Sequence, residues 1–201
     1  MMFHVKHGMD TLARLERFEA LVRKWNPVIN LVSKTSLDRL RERHIADSEQ
    51  LFWFAEVTSG HWVDLGSGGG FPGLVIAILA PEHAPALRVT CIESDQRKSA
   101  FLVAAARELD LPVTVLPQRI ETAEPQRAQV VSARALAPLP ALLPLAARHL
   151  APGGIAVFPK GARHATEVAE ARRDWRFDLT EAPSATDPAA RLLKLEGLAR
   201  V

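Results

Sequence analysis

The sequence has little cysteine and no long apolar run. Its single cysteine, Cys91, excludes an internal disulfide framework and a cysteine-rich zinc site, and agrees with a reducing compartment. The apolar stretch 74–81 is far shorter than the roughly 20 residues of a membrane span, and the stretch 135–147 is broken by prolines. The first ten residues, MMFHVKHGMD, lack the apolar segment of a secretion signal, so we expect a cytoplasmic protein without a membrane partner.

A strong charge of one sign is also lacking. The 25 basic and 23 acidic residues give a net charge of +2, which alone does not indicate a polyanionic partner. Residues 1–45, however, contain nine basic and five acidic residues, which allows a modest basic face at that end. With 48% hydrophobic and 24% charged residues, the 201-residue chain is typical of a globular protein of one domain with a small appendage.

The first part of the chain has the periodicity of amphipathic helices. We expect Pro27 to end the first helix. Its apolar residues recur at spacings of three and four: Leu12, Leu15, Phe18, Val22 and Trp25. A second helical pattern places the following residues on one face: Leu37, Leu40, His44, Ser48, Leu51 and Ala55. We therefore predict an N-terminal helical extension over residues 1–58.

After Gly60 the pattern changes to short strands that alternate with helices. Strands are predicted at 61–65, 87–93, 113–116, 129–132 and 155–158, and helices at 74–80, 95–110 and 139–150. Two more strands, at 175–180 and 191–199, are expected to include an antiparallel member. Such alternation predicts an α/β fold over residues 59–201, with a mostly parallel, doubly wound sheet of about seven strands.

A glycine-rich loop stands where the first predicted strand meets a helix. Residues 64–73 read DLGSGGGFPG, and four of the five residues 66–70 are glycine, which lets the backbone turn sharply and approach a ligand closely. Phe71 occupies the place of the third glycine of a dinucleotide fingerprint, so the pattern favours S-adenosylmethionine over NAD. We assign cofactor binding to this loop at Gly66, Ser67 and Gly68.

Two further segments extend the predicted cofactor site. Glu93 ends the second strand 23 residues after Gly70, at the distance where nucleotide-binding βαβ units place a carboxylate on the ribose hydroxyls. The alternative is a solvated residue that caps the next helix, although Ser94 and Asp95 can fill that role. Residues 119–121 follow the third strand, where adenine lies in such folds, and a backbone amide with a carboxylate can recognise its amine.

The residues at the carboxyl edge of the sheet restrict the methyl acceptor. Exocyclic-amine methylation would be expected to use Asn or Asp followed by two prolines and an aromatic residue, and no such segment is present. Cys91 lies inside a strand and is predicted to be a buried core thiol rather than a nucleophile. The acceptors that are left are atoms that already carry a lone pair. Guanine N7 is one of these, because its methylation needs correct placement but no general base.

Charged and polar residues near that edge are candidates for substrate contacts. Arg134 can hold the cofactor carboxylate or a phosphate, and Lys160 can hold an RNA phosphate, with a surface charge as the alternative for both. His44, Asp47 and Ser48 share one helix face and are candidates for the mouth of the site. The alternative to a role in the site is a local hydrogen bond between His44 and Asp47 that stabilises the helix. With no third ligand nearby in the sequence, we expect no metal.

Several motifs together carry a resemblance to a known family. They keep order and spacing between residues 22 and 161: Asn30-Leu31, RHIADS at 43–48, DLGSGGGFPG at 64–73, Arg134-Ala135 and Lys160-Gly161. In these the chain resembles the RsmG (GidB) family of bacterial small-subunit ribosomal RNA methyltransferases. The resemblance implies a Rossmann-like class I methyltransferase that methylates N7 of one guanine in 16S ribosomal RNA with S-adenosylmethionine. It also implies cofactor contacts at Gly66, Phe71, Ile120, Glu121 and Arg134, and supports Glu93.

The resulting hypothesis assigns a catalytic role to Arg134 and RNA contacts to His44, Asp47, Ser48 and Lys160. The expected partner is 16S ribosomal RNA or the small ribosomal subunit, bound by a monomer without an obligate protein partner. Two alternatives share the cofactor site: a small-molecule methyltransferase, and a non-catalytic RNA-binding assembly factor. A nicotinamide dehydrogenase is disfavoured by Phe71.

Overall fold

The computed structural model describes residues 7–201, so the first six residues of the predicted helical extension lie outside it. The first helix, α1, spans Met9–Ile29 and continues past Pro27, where the sequence predicted its end. It ends because Asn30 takes a left-handed conformation, with φ of 57°, and donates its amide to the carbonyl of Asn26. The Asn26 side chain then accepts the amide of Val32 at 2.8 Å and holds the following turn.

The second helical pattern forms a shared face but not one regular helix. It comprises α2 (Lys34–Leu37), a π-helical turn (Arg41–Ile45) and α3 (Ala46–Ala55). Leu40, Ser48 and Leu51 on the predicted face are fully buried, which confirms the periodicity. The amide of Ala46 bonds to the carbonyl of Arg41, five residues back, and this wider turn lies next to the candidate site described below.

Seven strands form one mixed sheet, as predicted. They are β1 (Ser59–Leu65), β2 (Ala86–Ile92), β3 (Val113–Leu116), β4 (Ala128–Ala133), β5 (Leu150–Lys160), β6 (Trp175–Pro183) and β7 (Arg191–Arg200). Their order is β3-β2-β1-β4-β5-β7-β6. All pairs from β3 to β5 are parallel, while β7 runs antiparallel to both of its neighbours. This confirms the mostly parallel sheet and the antiparallel member near the end of the chain.

Helices cover both faces of the sheet. They are α4 (Gly73–His83), α5 (Gln96–Glu108), α6 (Leu139–His149) and α7 (His164–Ala171), of which α7 was not predicted. β1 shows how one strand serves two cores: Trp62 joins the core with α1, α3, α4 and α5, and Val63 joins the core with α6 and α7. The N-terminal helices thus share a core with α4. The domain boundary at residues 58 and 59 stays a prediction.

The strand order also determines where a ligand can bind. It reverses between β1 and β4, and in open α/β sheets the crevice outside the carboxyl ends of the strands at such a point is the usual ligand site. The glycine-rich loop and Arg134 both follow strands at this point. No helix among residues 7–201 is long and apolar enough to cross a membrane.

Candidate functional site

The glycine-rich loop connects β1 to α4 and is held by backbone contacts. Gly66 and Gly68 have φ of 66° and 53°, a left-handed conformation that L side chains rarely adopt. The amide of Gly66 bonds to the carbonyl of Ile92 at 2.8 Å, which ties the loop to the end of β2. A Cβ atom on Gly66 would stand only 2.8 Å from Cδ1 of Leu136. The left-handed conformation therefore favours glycine at this position, and any larger side chain would also have to displace the end of Leu136.

A buried carboxylate, Asp64, anchors the loop at both ends. Its Oδ2 accepts the amide of Gly73, the first residue of α4, at 3.1 Å, and its Oδ1 accepts the hydroxyl of Ser132 on β4 at 2.8 Å. Burial raises the pKa of Asp64 to about 6, although these hydrogen bonds favour the charged form. A Cβ on Gly73 would stand 2.6 Å from Sγ of Cys91, so the helix can start here only with glycine.

Glu93 joins the loop to the second strand. Its Oε2 accepts the amide of Gly68 and its Oε1 accepts the amide of Asp95, each at 2.8 Å. Each carboxylate oxygen can accept a second hydrogen bond, so both remain able to take a ligand hydroxyl. Asp95 caps α5 by accepting the amides of Arg97 and Lys98. Glu93 is buried and does not cap the helix, which removes the alternative of a solvated cap.

These groups border a cavity of about 560 Å³ at the carboxyl ends of β1 and β2. Six predicted cofactor residues line it: Gly66, Gly68, Glu93, Ile120, Glu121 and Arg134. The other two, Ser67 and Phe71, do not. Ser67 is buried and donates its hydroxyl to the carbonyl of Asp64, while Phe71 is buried between the rings of Phe18 and His44, at centroid distances of 5.2 and 4.9 Å. Their side chains therefore pack on the buried side of the loop and do not line the cavity.

The segment that carries Ile120 and Glu121 is held by the end of α6. His149 donates from Nε2 to the carbonyl of Ile120 at 2.9 Å, and the Arg148 guanidinium donates to the carbonyl of Ala123 at 2.9 Å. Burial lowers the pKa of His149, which favours the neutral ring. No local sequence pattern indicates either residue, because their partners lie 29 and 25 positions away.

Arg134 links the sheet to the N-terminal helices. Its guanidinium donates to Nδ1 of His44 and to the carbonyl of Arg43 at 2.8 Å, and lies 3.6 Å from Oδ2 of Asp47. Burial and the neighbouring Arg134 and Arg43 charges lower the pKa of His44 to about 3, so its ring is a neutral acceptor. His44 and Asp47 thus meet through Arg134 rather than through the local bond considered as an alternative.

Ser48 does not reach the mouth of the site. Its side chain is fully buried, and its hydroxyl donates to the carbonyl of His44 one helical turn earlier, at 2.6 Å. A side chain without solvent exposure cannot contact RNA in this conformation. The predicted RNA contact at Ser48 is therefore corrected to a support for His44.

The loop at 184–190, between β6 and β7, completes this region and had no signal in the sequence. The hydroxyl of Thr186 donates to Oδ1 of Asp47, and the amide of Ala185 donates to the side chain of Gln50 at 2.7 Å. Arg43 lies 3.5 Å from the carboxylate of Asp187. Burial raises the pKa of Asp47, while Thr186 and Arg134 act in the opposite direction.

A second cavity, of about 520 Å³, lies between this loop, the N-terminal helices and the end of β5. It shares the wall formed by residues 134–137 with the first cavity. Lys160 lines it, but its ammonium already donates to the carbonyl of Ala137 at 2.7 Å and pairs with Glu167 at 3.0 Å. The Lys160 and Arg134 side chains are only 10% and 20% exposed, so neither is the simple surface charge considered above.

A groove of about 760 Å³, larger than either of these two cavities, lies elsewhere, between the outer side of α5 and β3. It is lined mainly by alkyl groups such as those of Ala100, Val103 and Ala104, and contains none of the residues predicted for the site. Because a ligand site needs convergent polar groups as well as volume, the two cavities around Arg134 are the better candidates.

Comparison with known sequences gives a consistent family. The profile described as "GidB: rRNA small subunit methyltransferase G" matches residues 11–191. The chain is 52% identical over 192 residues to the ribosomal RNA small subunit methyltransferase G of Cereibacter sphaeroides, covering 96% of this chain and 92% of the relative. The protein of the same description from Ruegeria pomeroyi is 53% identical, with coverage of 96% and 94%.

Solved structures are similar in fold. An O-methyltransferase from Bacillus cereus in complex with SAH superposes with a TM-score of 0.60 at 11% identity, covering 96% of this chain and 93% of that one. A 16S rRNA methyltransferase of T. thermophilus, in complex with AdoMet and guanosine, gives a TM-score of 0.53 at 18% identity, covering 75% and 38%. Both likenesses support the predicted class I methyltransferase fold.

Proposed function

Because this chain belongs to the ribosomal RNA small subunit methyltransferase G family, we propose that it transfers the methyl group of S-adenosylmethionine to N7 of one guanine in 16S ribosomal RNA. The observation that supports this assignment best is the pair of cavities that meet at residues 134–137. The first is lined by glycine backbone and carboxylates together with Arg134. The second is lined by Arg43, Arg134 and Lys160, each of which has an acidic partner in the same cavity: Asp187, Asp47 and Glu167.

The first cavity fits the cofactor. Gly66 and Gly68 leave room for close approach of the methionine part, and Glu93 keeps acceptor capacity for the ribose hydroxyls. Ile120 and Glu121 offer an apolar contact and a carboxylate for the adenine. When bound there, S-adenosylmethionine supplies an electrophilic methyl group on its sulfonium. Ser67 and Phe71 contribute to this site through the shape of the loop.

The side chains near the wall that the two cavities share, residues 134–137, agree with a methyl acceptor that needs no general base. His44 has a pKa of about 3, and its Nδ1 already accepts a hydrogen bond from Arg134, which leaves it poorly suited to take a proton from the substrate. Cys91 is fully buried and burial raises its pKa, so a thiolate nucleophile is excluded. Guanine N7 presents a lone pair, and the protein's task is to place that atom and exclude water.

The second cavity is suited to the guanine and its neighbouring phosphates. Three acceptors hold the guanidinium of Arg134 in the shared wall, and we assign it the contact with the cofactor carboxylate or the substrate. Arg43 and Lys160 are assigned to RNA phosphates. His44 and Asp47 act on the RNA through Arg134.

The proposed substrate also implies a partner and a location. We propose that the partner is 16S ribosomal RNA or the small ribosomal subunit, and that the protein acts in the cytoplasm. We also propose that it acts as a monomer.

The acceptor atom can be tested by substitution in the RNA. A 16S RNA transcript in which 7-deazaguanine replaces guanine has C–H at position 7 and no lone pair there. We expect methyl transfer to the guanine transcript and none to the 7-deaza transcript, while both bind the protein with similar affinity. Equal transfer to the two transcripts would contradict N7 as the acceptor. Transfer to small metabolites but to neither RNA would instead indicate a small-molecule methyltransferase.

A further inference from the structure

A cluster of metal-ligating side chains lies apart from the two cavities, where the segment before α1 meets the end of α4. It consists of His7, Glu82 and His83, supported by Glu49 on α3. One atom of each of the three ligating residues lies within 4.8 Å of the others. Nothing in the proposed methyl transfer uses these residues. His7 and His83 are separated by 76 positions, which explains why the sequence analysis found no metal site.

The distances in the cluster match those between ligands of one zinc ion. Nδ1 of His7 and Nε2 of His83 are 3.4 Å apart, and Nε2 of His83 is 3.5 Å from Oε1 of Glu82. Ligands about 2.0–2.1 Å from a tetrahedral zinc ion are separated from one another by roughly 3.3–3.4 Å. Two of the three separations therefore suit one ion, and the third, between His7 and Glu82, lies within 4.8 Å, so side-chain shifts would bring all three atoms into contact with it.

The surrounding groups orient these side chains as outer partners of a metal site do. Nε2 of His7, the ring nitrogen that faces away from His83, lies 3.4 Å from a carboxylate oxygen of Glu49. Such a carboxylate selects the tautomer in which Nδ1 is free to ligate. The carboxylate of Glu82 is held by the amide of Gly8 at 2.9 Å and by the hydroxyl of Thr11 at 2.6 Å. Oε2 accepts both of these donors, whereas Oε1 accepts only the Gly8 amide and keeps a lone pair for a metal.

We propose that His7, Glu82 and His83 form a zinc site, with water as the fourth ligand and Glu49 as the outer partner of His7. Two imidazoles and one carboxylate are a donor set that zinc prefers. The side chain of Glu82 is 31% exposed, which gives the ion access from solvent. Bound zinc connects the start of α1 to the end of α4 and thereby stabilises the N-terminal helices on the sheet domain.

The direct test is a calorimetric titration of the metal-free, full-length protein with zinc chloride. We expect one ion per chain. Replacing a ligand in His7→Gln or His83→Gln is expected to weaken binding by more than about 100-fold, beyond the ~10- to 100-fold typical of an outer partner, which is the loss expected for Glu49→Gln. The matched control is His164→Gln, which removes a histidine outside the cluster and is expected to leave binding unchanged.

A spectroscopic measurement locates the ion independently of any ligand variant. The indole of Trp53 packs edge-on against the ring of His83, with centroids 4.7 Å apart. Titration with Co²⁺ should therefore quench Trp53 fluorescence and produce the visible absorption of a tetrahedral ion, and Trp53→Phe should remove that part of the quenching. The proposal is overturned if the unaltered protein binds no zinc, or if a variant with both histidines replaced binds it equally well.

Discussion

The two cavities on either side of residues 134–137 are built in different ways. The first cavity, which we assign to the cofactor, includes the backbone of Gly66 and Gly68 from the loop at 64–73, whose amides are held by the buried carboxylates of Asp64 and Glu93. The second cavity, which we assign to RNA, is assembled from side chains on four separate segments: 43–47, 134–138, 159–167 and 184–190. The first therefore includes a local backbone feature, the loop glycines, whereas the second rests on charged side chains that are far apart in the sequence.

The largest effect is expected where the backbone itself shapes the cofactor cavity. Gly66→Val adds a branched side chain at φ of 66° and against Leu136. We expect cofactor affinity to fall by about 100-fold, or about 2.7 kcal/mol, in an equilibrium binding measurement. The control is Gly153→Val, which has φ of 75° with open space around the added atom, and should lose stability but keep cofactor affinity. Equal loss of affinity in both variants would show a general folding defect.

The next largest effect concerns the charged cluster. Arg134→Met leaves Asp47 and the carbonyl of Arg43 without their partner in a mostly buried place. We expect a loss of about 2 kcal/mol in the free energy of unfolding, measured in denaturant. Arg23→Met, which breaks an exposed pair with Glu19 on α1, should cost less than about 0.5 kcal/mol.

A double-mutant cycle separates the Arg134 interaction from other losses. When Asp47→Asn is combined with Arg134→Met, the two effects should be less than additive by about 1 kcal/mol, because one interaction is counted in both single variants. Additive effects would show that the two side chains act independently.

A smaller effect is expected for RNA binding alone. Lys160→Met should weaken binding of a 16S RNA fragment by about tenfold and reduce the salt slope by about 1, which is the change for one lost phosphate contact. Cofactor affinity should not change, because the lysine lines only the second cavity. Lys194→Met removes another paired lysine, bound to Glu56, that lines neither cavity. If both variants bind RNA like the unaltered protein, Lys160 is a structural residue only.

The smallest expected effect is on the pH dependence of stability, which differs in sign between His44 and Asp64. Burial and the nearby arginines lower the pKa of His44 from 6.5 to about 3, so its contribution to stability is lost as the pH falls from about 6.5. Burial raises the pKa of Asp64 from 3.8 to about 6, so its contribution to stability is lost as the pH rises from about 4 to 6. Because solvent screens the half-buried ring of His44, we expect a slope of about 0.5 kcal/mol per pH unit from it.

Unfolding curves at pH 4 to 7 test these opposite signs. His44→Asn should reduce the loss of stability on acidification, and Asp64→Asn should increase it. Changes of the same sign in both variants would contradict the assigned protonation states.

The same contrast explains what could be predicted from the sequence. The seven strands, the mostly parallel sheet, the glycine-rich loop and the place of Glu93 at the end of β2 were predictable, because strand-helix alternation and close glycine spacing are local signals. The contacts of Asp47 with Thr186, and of His149 with Ile120, join residues 139 and 29 positions apart and leave no local pattern. α7 and the π-helical turn were missed because they are only eight and five residues long, which is too short for a periodic pattern to stand out.

The proposed methyl transfer can be measured with labelled S-adenosylmethionine, using small ribosomal subunits and 16S RNA that lack the modification, followed by nucleoside analysis. We expect labelled 7-methylguanosine as the product. Label in any other nucleoside, or no transfer while the cofactor still binds, would contradict it.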